Sequence, residues 1–253
     1  MCVLFVANKV SDLYPLIIIA NRDEFHRRPT AKLAQWPDSA IIAGQDLEAL
    51  GTWLGVNVDG RIAALTNVRG PQFIKPQPPS RGELVTDYLN SLASPTEFGP
   101  KLQPIAAQYS GFNLLYGTAD QLFTFNNTTN QVLPITEGCH GLSNAALNDH
   151  WPKVQRGVSQ LEAYLATTER VDANELVTLM QCNIKAPDHL LPDTGVGIEL
   201  ERFLSPIFII GDEYGTRCST ILLYDRHQQL TIFEYSYHKD GQICDKVEIK
   251  LPR

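Results

Sequence analysis

The stretch CVLFVAN (residues 2–8), followed by LIIIANR (residues 16–22), decides the fold. Both runs are rich in β-branched and aromatic residues, and the cluster SDLYP (residues 11–15) separates them, which predicts an antiparallel hairpin that turns about Asp12. In that register Cys2 lies opposite Arg22, and directly opposed residues share a face of the sheet. A slip of one residue would move Arg22 to the other face, so the alternative register remains open.

The rest of the chain places helices between groups of strands. Strands are predicted at residues 53–58 and 61–67, joined by the turn Asp59-Gly60, and at residues 112–117, 121–126, 207–211, 219–224, 230–235 and 244–251. Helices are predicted at residues 80–92, where SRGE (residues 80–83) has the form of a capping box, and at residues 151–165 and 174–181. The connector at residues 70–80 holds four prolines and is a candidate wall or lid of a pocket. This order of elements indicates an α+β layered fold with antiparallel sheets.

Composition limits the classes of function. The 253 residues are 43% hydrophobic and carry a formal net charge of −7, which predicts one domain over residues 1–253 and argues against nucleic acid as a partner. The most apolar run of the N-terminal region, residues 16–20, is too short to span a bilayer or to act as a signal, so we expect no membrane insertion and a cytoplasmic location. Five dispersed cysteines, without paired spacing, predict neither a disulfide framework nor a metal site, and no motif implies a cofactor. A small molecule is the expected partner.

Cys2 follows the initiator methionine directly. Removal of Met1 would make Cys2 the N-terminal residue, with a thiol and a free α-amine on the same carbon. An α-amine titrates at a pKa of about 7.7–8.0, so it is a base suited to activating a neighbouring thiol. Many chains carry a small second residue by chance, and retention of Met1 would remove this base. In the register given above, Arg22 would lower the pKa of the Cys2 thiol.

Polar residues also cluster where apolar strands end. The first cluster is NRDE (residues 21–24), in which Asp23 or Glu24 could orient Arg22 or the α-amine. Asn67 and Asn144 lie in two further clusters, and an Asn amide suits an oxyanion site because it donates without carrying charge. Arg217 could hold a carboxylate or phosphate. The alternatives are a solvated turn at residues 21–24, ordinary turns at the asparagines and a surface salt bridge at Arg217.

Eight groups of residues in this order resemble the NRDE family, also called the transport and Golgi organisation protein 2 family. They are MC (1–2), NRDEF with RP (21–25 and 28–29), WLG (53–55), LTN (65–67), RGELV (81–85), GFNL (111–114), GLSNA (141–145) and YGTR (214–217). The resemblance extends from Met1 to about Asp225. The family is similar to the N-terminal-nucleophile hydrolases, so the resemblance implies a four-layer αββα sandwich of antiparallel sheets.

The same resemblance implies roles for named residues. By similarity to the bile-salt hydrolase and penicillin acylase branch, Cys2 would be the nucleophile, and Arg22 and Asp23 would support it. Asn67 and Asn144 would bind the oxyanion, and Arg217 would complete a polar rim. Asn21 and Glu24 are the remaining expected substrate-binding residues, from the first cluster.

Two functions follow from these observations. The first is a hydrolase or acyltransferase that acts through Cys2 on a non-peptide amide or a thioester, such as an acyl lipid or an acyl-CoA-like compound. The alternative is a non-catalytic protein that binds or transfers haem or a lipid in the same pocket, since members of the family have been linked to haem mobilisation and to lipid metabolism. Turnover that depends on Cys2 would distinguish the first from the second.

Overall fold

Two antiparallel sheets lie face to face between two layers of helices in a computed structural model that describes residues 2–251. The first sheet has six strands in the order β10-β1-β2-β11-β12-β13, and the second has seven strands in the order β3 to β9. The strands are β1 (Cys2–Asn8), β2 (Leu16–Phe25), β3 (Thr30–Gln35), β4 (Ile41–Asp46), β5 (Leu54–Asn57), β6 (Ile62–Asn67), β7 (Phe112–Gly117), β8 (Leu122–Asn126), β9 (Gln131–Pro134), β10 (Gly138–Leu142), β11 (Tyr214–Tyr224), β12 (Leu230–Tyr237) and β13 (Ile243–Lys250).

The helices are α1 (Gly82–Asn90), α2 (Pro95–Leu102), α3 (Pro152–Thr167), α4 (Ala173–Met180) and α5 (Ile198–Phe203), with single 3₁₀ turns at Pro71–Phe73, Ala106–Gln108 and Asp188–Leu190. Helices α1 and α2 cover the seven-stranded sheet, and α3 and α4 cover the other. The predicted α+β sandwich with four layers is therefore present. None of the helices in the described part of the chain has the length and apolar character needed to cross a membrane.

The predicted first hairpin is confirmed, including its register. Cys2 pairs with Arg22 and Asn8 pairs with Leu16. Because side chains alternate along a strand, Leu4 and Ile18 point into the apolar core between the two sheets, whereas Phe5 and Ile19 point toward the helices. Strand β2 also pairs with β11 along its other edge, so the hairpin is at the centre of its sheet and both its faces are buried.

The sequence prediction was wrong about the start of the first helix. No side chain of the described residues caps α1 at Arg81, because the Glu83 carboxylate accepts a hydrogen bond from the Tyr109 hydroxyl (2.5 Å) instead of closing a box with Ser80. A capping box does form at the next helix, between Ser94 and Glu97. The pattern is thus the correct one for a helix start, but a tertiary contact overrides it at α1.

Some elements also differ from the prediction. Residues 207–211 form no strand, because their backbone groups bond to scattered partners and not to one neighbouring strand. The Asn21 amide donates to the Ile207 carbonyl (2.9 Å), the Phe208 amide donates to the Cys182 carbonyl (2.9 Å), and the Ile209 amide donates to the Thr216 hydroxyl (2.9 Å). Four short strands (β3, β4, β9 and β10) and two helices (α2 and α5) were not predicted. Strands β3 and β9 are at the edges of the second sheet, where partly exposed polar sequences carry a weak strand signal.

Candidate active site

A cavity of about 330 Å³ opens at the end of the sandwich where β1 begins and β2 ends. Cys2 and Arg22 line it from the first sheet, and Asn67 lines it from the end of β6 in the second. Part of its wall is the proline-rich connector, through Pro78 and its neighbours, as the sequence predicted, and the start of α1 completes this side. Both sheets and one connecting segment therefore contribute to a single polar cavity.

Glycines allow the start of α1 to lie this close to the second sheet. A Cβ atom on Gly51 would lie 2.5 Å from the carbonyl carbon of Gly82, at the first turn of α1. The Thr52 amide also donates a long hydrogen bond to the Gly82 carbonyl (3.4 Å). Any side chain at position 51 would push the helix start away from the β4–β5 connection and change the cavity wall.

Arg22 is held by three neighbours beside Cys2. Its guanidinium donates to the Thr30 hydroxyl (2.8 Å), forms an ion pair with Asp46 (3.3 Å) and lies 4.2 Å from the centre of the Trp53 ring. The residue is only 4% exposed. A buried cation that is bound on several sides has little freedom, so its charge is fixed close to the thiol.

The expected effect of Arg22 on the thiol is present, but it is outweighed. Burial raises the pKa of Cys2 above its ordinary value, although Arg22 and a hydrogen bond from the backbone amide of Asp23 both act to lower the pKa. Arg22 therefore acts in the predicted direction, but the pKa of the thiol is raised overall, because the cost of desolvating a thiolate in this cavity exceeds the attraction of one guanidinium. A base is then needed to take the thiol proton at neutral pH.

Asp23 lines the same cavity, from the following position on β2. Its carboxylate accepts a hydrogen bond from the Thr216 hydroxyl (2.7 Å), and its carbonyl accepts one from the Tyr214 hydroxyl (3.0 Å). Burial raises the pKa of Asp23, while the nearby Lys153 and Arg69 cations act to lower it. Asp23 is thus a buried carboxyl group whose charge depends on cations that come from outside the hairpin.

Asn144 joins the ends of two strands. Its amide nitrogen donates to the Asn67 carbonyl (2.9 Å) and, at longer range, to the Cys2 carbonyl (3.4 Å). Its amide oxygen accepts hydrogen bonds from Arg69 and from Lys153, each at 3.2 Å. The structure therefore shows Asn144 fixing the backbone of β1 against that of β6, with its donors directed at main-chain carbonyl groups.

The other predicted residues lie in different places. Glu24 lines the cavity, and Asn67 lines it from the opposite sheet. Asn21 is not brought into it: the side chain points to the helical face of the sheet, where its amide donates to the carbonyls of Met180 (2.8 Å) and Ile207. Arg217 lies at a β-bulge in β11 and binds the end of β2 and the loop that follows it, donating to the carbonyls of Phe25 (2.9 Å) and Arg28 (3.1 Å).

The family model for Transport and Golgi organisation 2 matches residues 1–239 of the chain. This chain belongs to the Transport and Golgi organisation 2 family. It is 31% identical over 257 residues to the Transport and Golgi organization 2 homolog of Mus musculus, and the match covers 93% of both chains. The human homolog is likewise 31% identical over 257 residues, with the same coverage. The predicted family is thereby confirmed.

Among solved structures, the chain is similar to the C2A mutant of conjugated bile acid hydrolase from Clostridium perfringens. The TM-score is 0.58, the sequences are 9% identical, and the match covers 98% of this chain and 92% of that one. At this identity the likeness shows the fold alone. It agrees with the N-terminal-nucleophile hydrolase fold that the resemblance implied.

Three residues in or next to the cavity were not predicted as functional from the sequence. Asp46 accepts from both Arg22 and Arg28, at 3.3 Å and 2.6 Å, and Arg81 lines the cavity at the start of α1. Lys153 is the third, a lysine on α3 that is only 2% exposed. Sequence alone offers a signal for Lys153: it falls on the apolar face of α3, with Val154, Gly157 and Leu161, where a charged residue is unexpected.

Lys153 lies on the side of the first sheet that faces away from the cavity. Its amine donates to the Asn144 amide oxygen (3.2 Å) and to the Leu204 carbonyl (3.3 Å). Burial, together with the Arg69 cation, lowers the pKa of Lys153 to about 7, although Asp23 acts to raise it. Lys153 therefore interacts with the cavity residues in two ways: by its hydrogen bond to Asn144 and by the attraction between its charge and Asp23.

Among residues 2–251, no group of three His, Cys, Asp or Glu side chains is arranged to hold a metal ion. The predicted dependence on a free α-amine concerns the state of Met1, which lies outside the described residues.

Proposed function

We propose that this protein is a hydrolase or acyltransferase that uses Cys2 to attack a non-peptide amide or a thioester. The single observation that carries the proposal is the register of the first hairpin, which places the Cys2 thiol at the cavity beside the buried Arg22 cation. A nucleophile in a cavity with a fixed positive charge is the arrangement that acyl transfer needs. The name of the structural neighbour, a hydrolase of conjugated bile acids, supports an acyl compound as the substrate class.

The first step forms a bond between the Cys2 sulfur and the carbonyl carbon of the substrate. The pair of electrons from the carbonyl π bond moves to the oxygen, and the thiol proton goes to the α-amine of Cys2, which is free once Met1 has been removed. We assign oxyanion binding to the Asn67 side chain at the cavity wall. Asn144 supports this step by fixing the backbone of both Cys2 and Asn67.

The second step breaks the bond to the leaving group. The oxyanion collapses to a thioester on Cys2, and the amine or thiol leaves with the proton that the α-amine carried. Water, or an acceptor nucleophile, then attacks the thioester and restores the thiol. Arg22 stabilises the thiolate whenever it forms, and Asp23 contributes negative charge beside the α-amine, where it stabilises the ammonium form.

The intact mass of protein made in cells, together with turnover of an acyl panel, tests this proposal. A chain that begins at Cys2, a burst of product and a trapped acyl adduct on Cys2 are the expected results. Cys2→Ala should lose turnover, whereas Cys244→Ala, which changes an exposed cysteine, should retain it. Undiminished turnover by Cys2→Ala would overturn the proposal. Tight stoichiometric binding of haem or an acyl lipid that is equal in wild type and Cys2→Ala, without turnover, would instead favour a binding protein.

A further inference from the structure

Arg81 lines the catalytic cavity and has no role in the steps above. It immediately precedes α1, and its guanidinium donates one hydrogen bond, to the Gly111 carbonyl (3.0 Å). A guanidinium has five N–H donors in a rigid plane. The contact with Gly111 anchors the group but does not neutralise its charge.

The other two arginines of the cavity are in a different situation. Arg22 and Arg28 both form ion pairs with Asp46, at 3.3 Å and 2.6 Å. The ion pairs among the described residues include no carboxylate bound to Arg81. Glu24 acts on it only as a charge at a distance. Of the three arginines that line the cavity, Arg81 is therefore the one whose charge no carboxylate pairs.

Partial burial of the unpaired Arg81 guanidinium costs free energy unless an anion binds to it. The protein surrounds much of the Arg81 guanidinium, and this desolvation lowers its pKa. A cation taken out of water without a counter-charge loses solvation energy that an anionic ligand would restore. Cys2 lines the same cavity as Arg81, so a ligand bound there to the guanidinium would also lie near the nucleophile.

We propose that Arg81 binds a negatively charged group of the substrate, a carboxylate, while the acyl carbonyl of the same molecule lies at Cys2. The inference rests on the proposed function and names the substrate class: a carboxylate-bearing amide or thioester. A carboxylate matches the planar donors of a guanidinium with two parallel hydrogen bonds. The Gly51–Gly82 contact fixes the start of α1 and hence the position of Arg81.

Alkylation by iodoacetate and by iodoacetamide tests this assignment without any substrate. The two reagents differ chiefly in charge. Both rates at one cysteine are proportional to its thiolate fraction, so that fraction cancels when the iodoacetate rate is divided by the iodoacetamide rate. Peptide mapping gives the ratio at Cys2 and, in the same sample, at the exposed Cys244. We expect the iodoacetate preference at Cys2 to exceed that at Cys244 by about tenfold, the low end of local steering by charge. Equal ratios at the two cysteines in the wild-type protein would overturn the proposal, whatever the variants do.

Arg81→Met should lower the ratio at Cys2 toward that at Cys244, and Arg81→Lys should retain more of the preference than Arg81→Met does. Arg61→Met is the matched control, because Arg61 also donates to a backbone carbonyl, that of Ala93 (2.8 Å), and does not line the cavity. An Arg81→Met ratio that stays at the wild-type value would contradict the assignment. Loss of the preference in Arg61→Met as well would show a general charge effect and would contradict it too.

Competition identifies the anion. Butyrate should protect Cys2 from iodoacetamide better than butyramide does, and Arg81→Met should remove the difference. Stronger protection by inorganic phosphate than by butyrate would overturn the carboxylate class. Alkylation needs a thiol but no acyl turnover, so it tests anion binding by Arg81 independently of the proposal that Cys2 catalyses acyl transfer. A high iodoacetate ratio without turnover removes the enzyme proposal alone, and turnover with equal ratios removes the Arg81 assignment alone.

Discussion

Cys2 and Arg22 occupy directly opposed positions on β1 and β2, and Arg22 is fixed there by Asp46 and the Trp53 ring. The pairing of β1 with β2 places Arg22 opposite the thiol. The direction of its guanidinium is set by Asp46, which lies in the other sheet, and by Trp53, which lies just before β5. The hairpin alone therefore does not make the site. It needs the second sheet to hold the cation.

Arg22→Met should slow alkylation of Cys2 by iodoacetamide several-fold at pH 8. Arg22 acts to lower the pKa of the thiol, so its loss leaves burial less opposed and the thiolate scarcer. The rate at Cys2 as a function of pH, followed by peptide mapping, measures the change. Arg28→Met is the control, since Arg28 shares Asp46 but does not lie opposite Cys2 in the hairpin. Superimposable profiles for wild type and Arg22→Met would refute this role of Arg22.

The hairpin was predictable because all its signals are local: two apolar runs, one turn cluster and a period of two. Asp46 and Arg81 were not predictable as site residues, because each comes from an element far along the chain. Lys153 carries a sequence signal, a charge on the apolar face of α3, but that signal does not place it near Cys2. The proximity of all three to Cys2 depends on how the two sheets and α3 pack. The strand expected at residues 207–211 failed for a related reason, since the Asn21 amide and the Thr216 hydroxyl bind backbone groups that a neighbouring strand would otherwise take.

Lys153→Met should change how stability depends on pH. The folded pKa of Lys153 is about 7, against 10.5 for an ordinary lysine. Between these values the unfolded chain binds a proton that the folded chain does not, so this residue makes the free energy of unfolding rise with pH. Below about pH 7 the full cost of burying the cation applies. The variant should lose this rise, which is on the order of a few kcal/mol.

Urea denaturation at pH 7 and pH 9.5 measures the effect of Lys153. Other groups titrate in this range, but they are common to wild type and variant, so the difference between the two slopes isolates the lysine. Lys185→Met is the control, because Lys185 is exposed and its removal should leave the slope unchanged. An identical slope in wild type and Lys153→Met would show that the buried amine keeps its proton throughout.

Glu201→Gln should destabilise the protein by about 3–5 kcal/mol, because it leaves the Arg69 cation buried without its partner. The two side chains form an ion pair at 3% and 2% exposure, and the Thr194 hydroxyl also donates to Glu201 (2.5 Å). The double variant with Arg69→Met should lose less than the sum of the single losses, as a double-mutant cycle by urea denaturation would show.

Asp188→Asn provides the comparison for Glu201→Gln. Asp188 forms an ion pair with Arg202, the residue that follows Glu201 in α5, but the side chains of Asp188 and Arg202 are 58% and 33% exposed. An exposed pair contributes about 0–1 kcal/mol, so this change should have little effect. Additive losses in the Arg69 and Glu201 cycle would contradict a coupled buried pair.

Gly157→Ala should destabilise the protein although alanine favours a helix. A Cβ atom at position 157 would lie 1.9 Å from the tip of the Phe5 ring, so α3 would have to move away from β1. Overpacking costs about 1–3 kcal/mol, which exceeds the gain of about 1 kcal/mol in helix propensity. Ala163→Gly, at an exposed position of the same helix, measures that propensity alone. Adding Phe5→Leu should recover part of the loss in urea denaturation. A double variant that loses at least the sum of the two single losses would show that the Phe5 ring is not what excludes a side chain at Gly157.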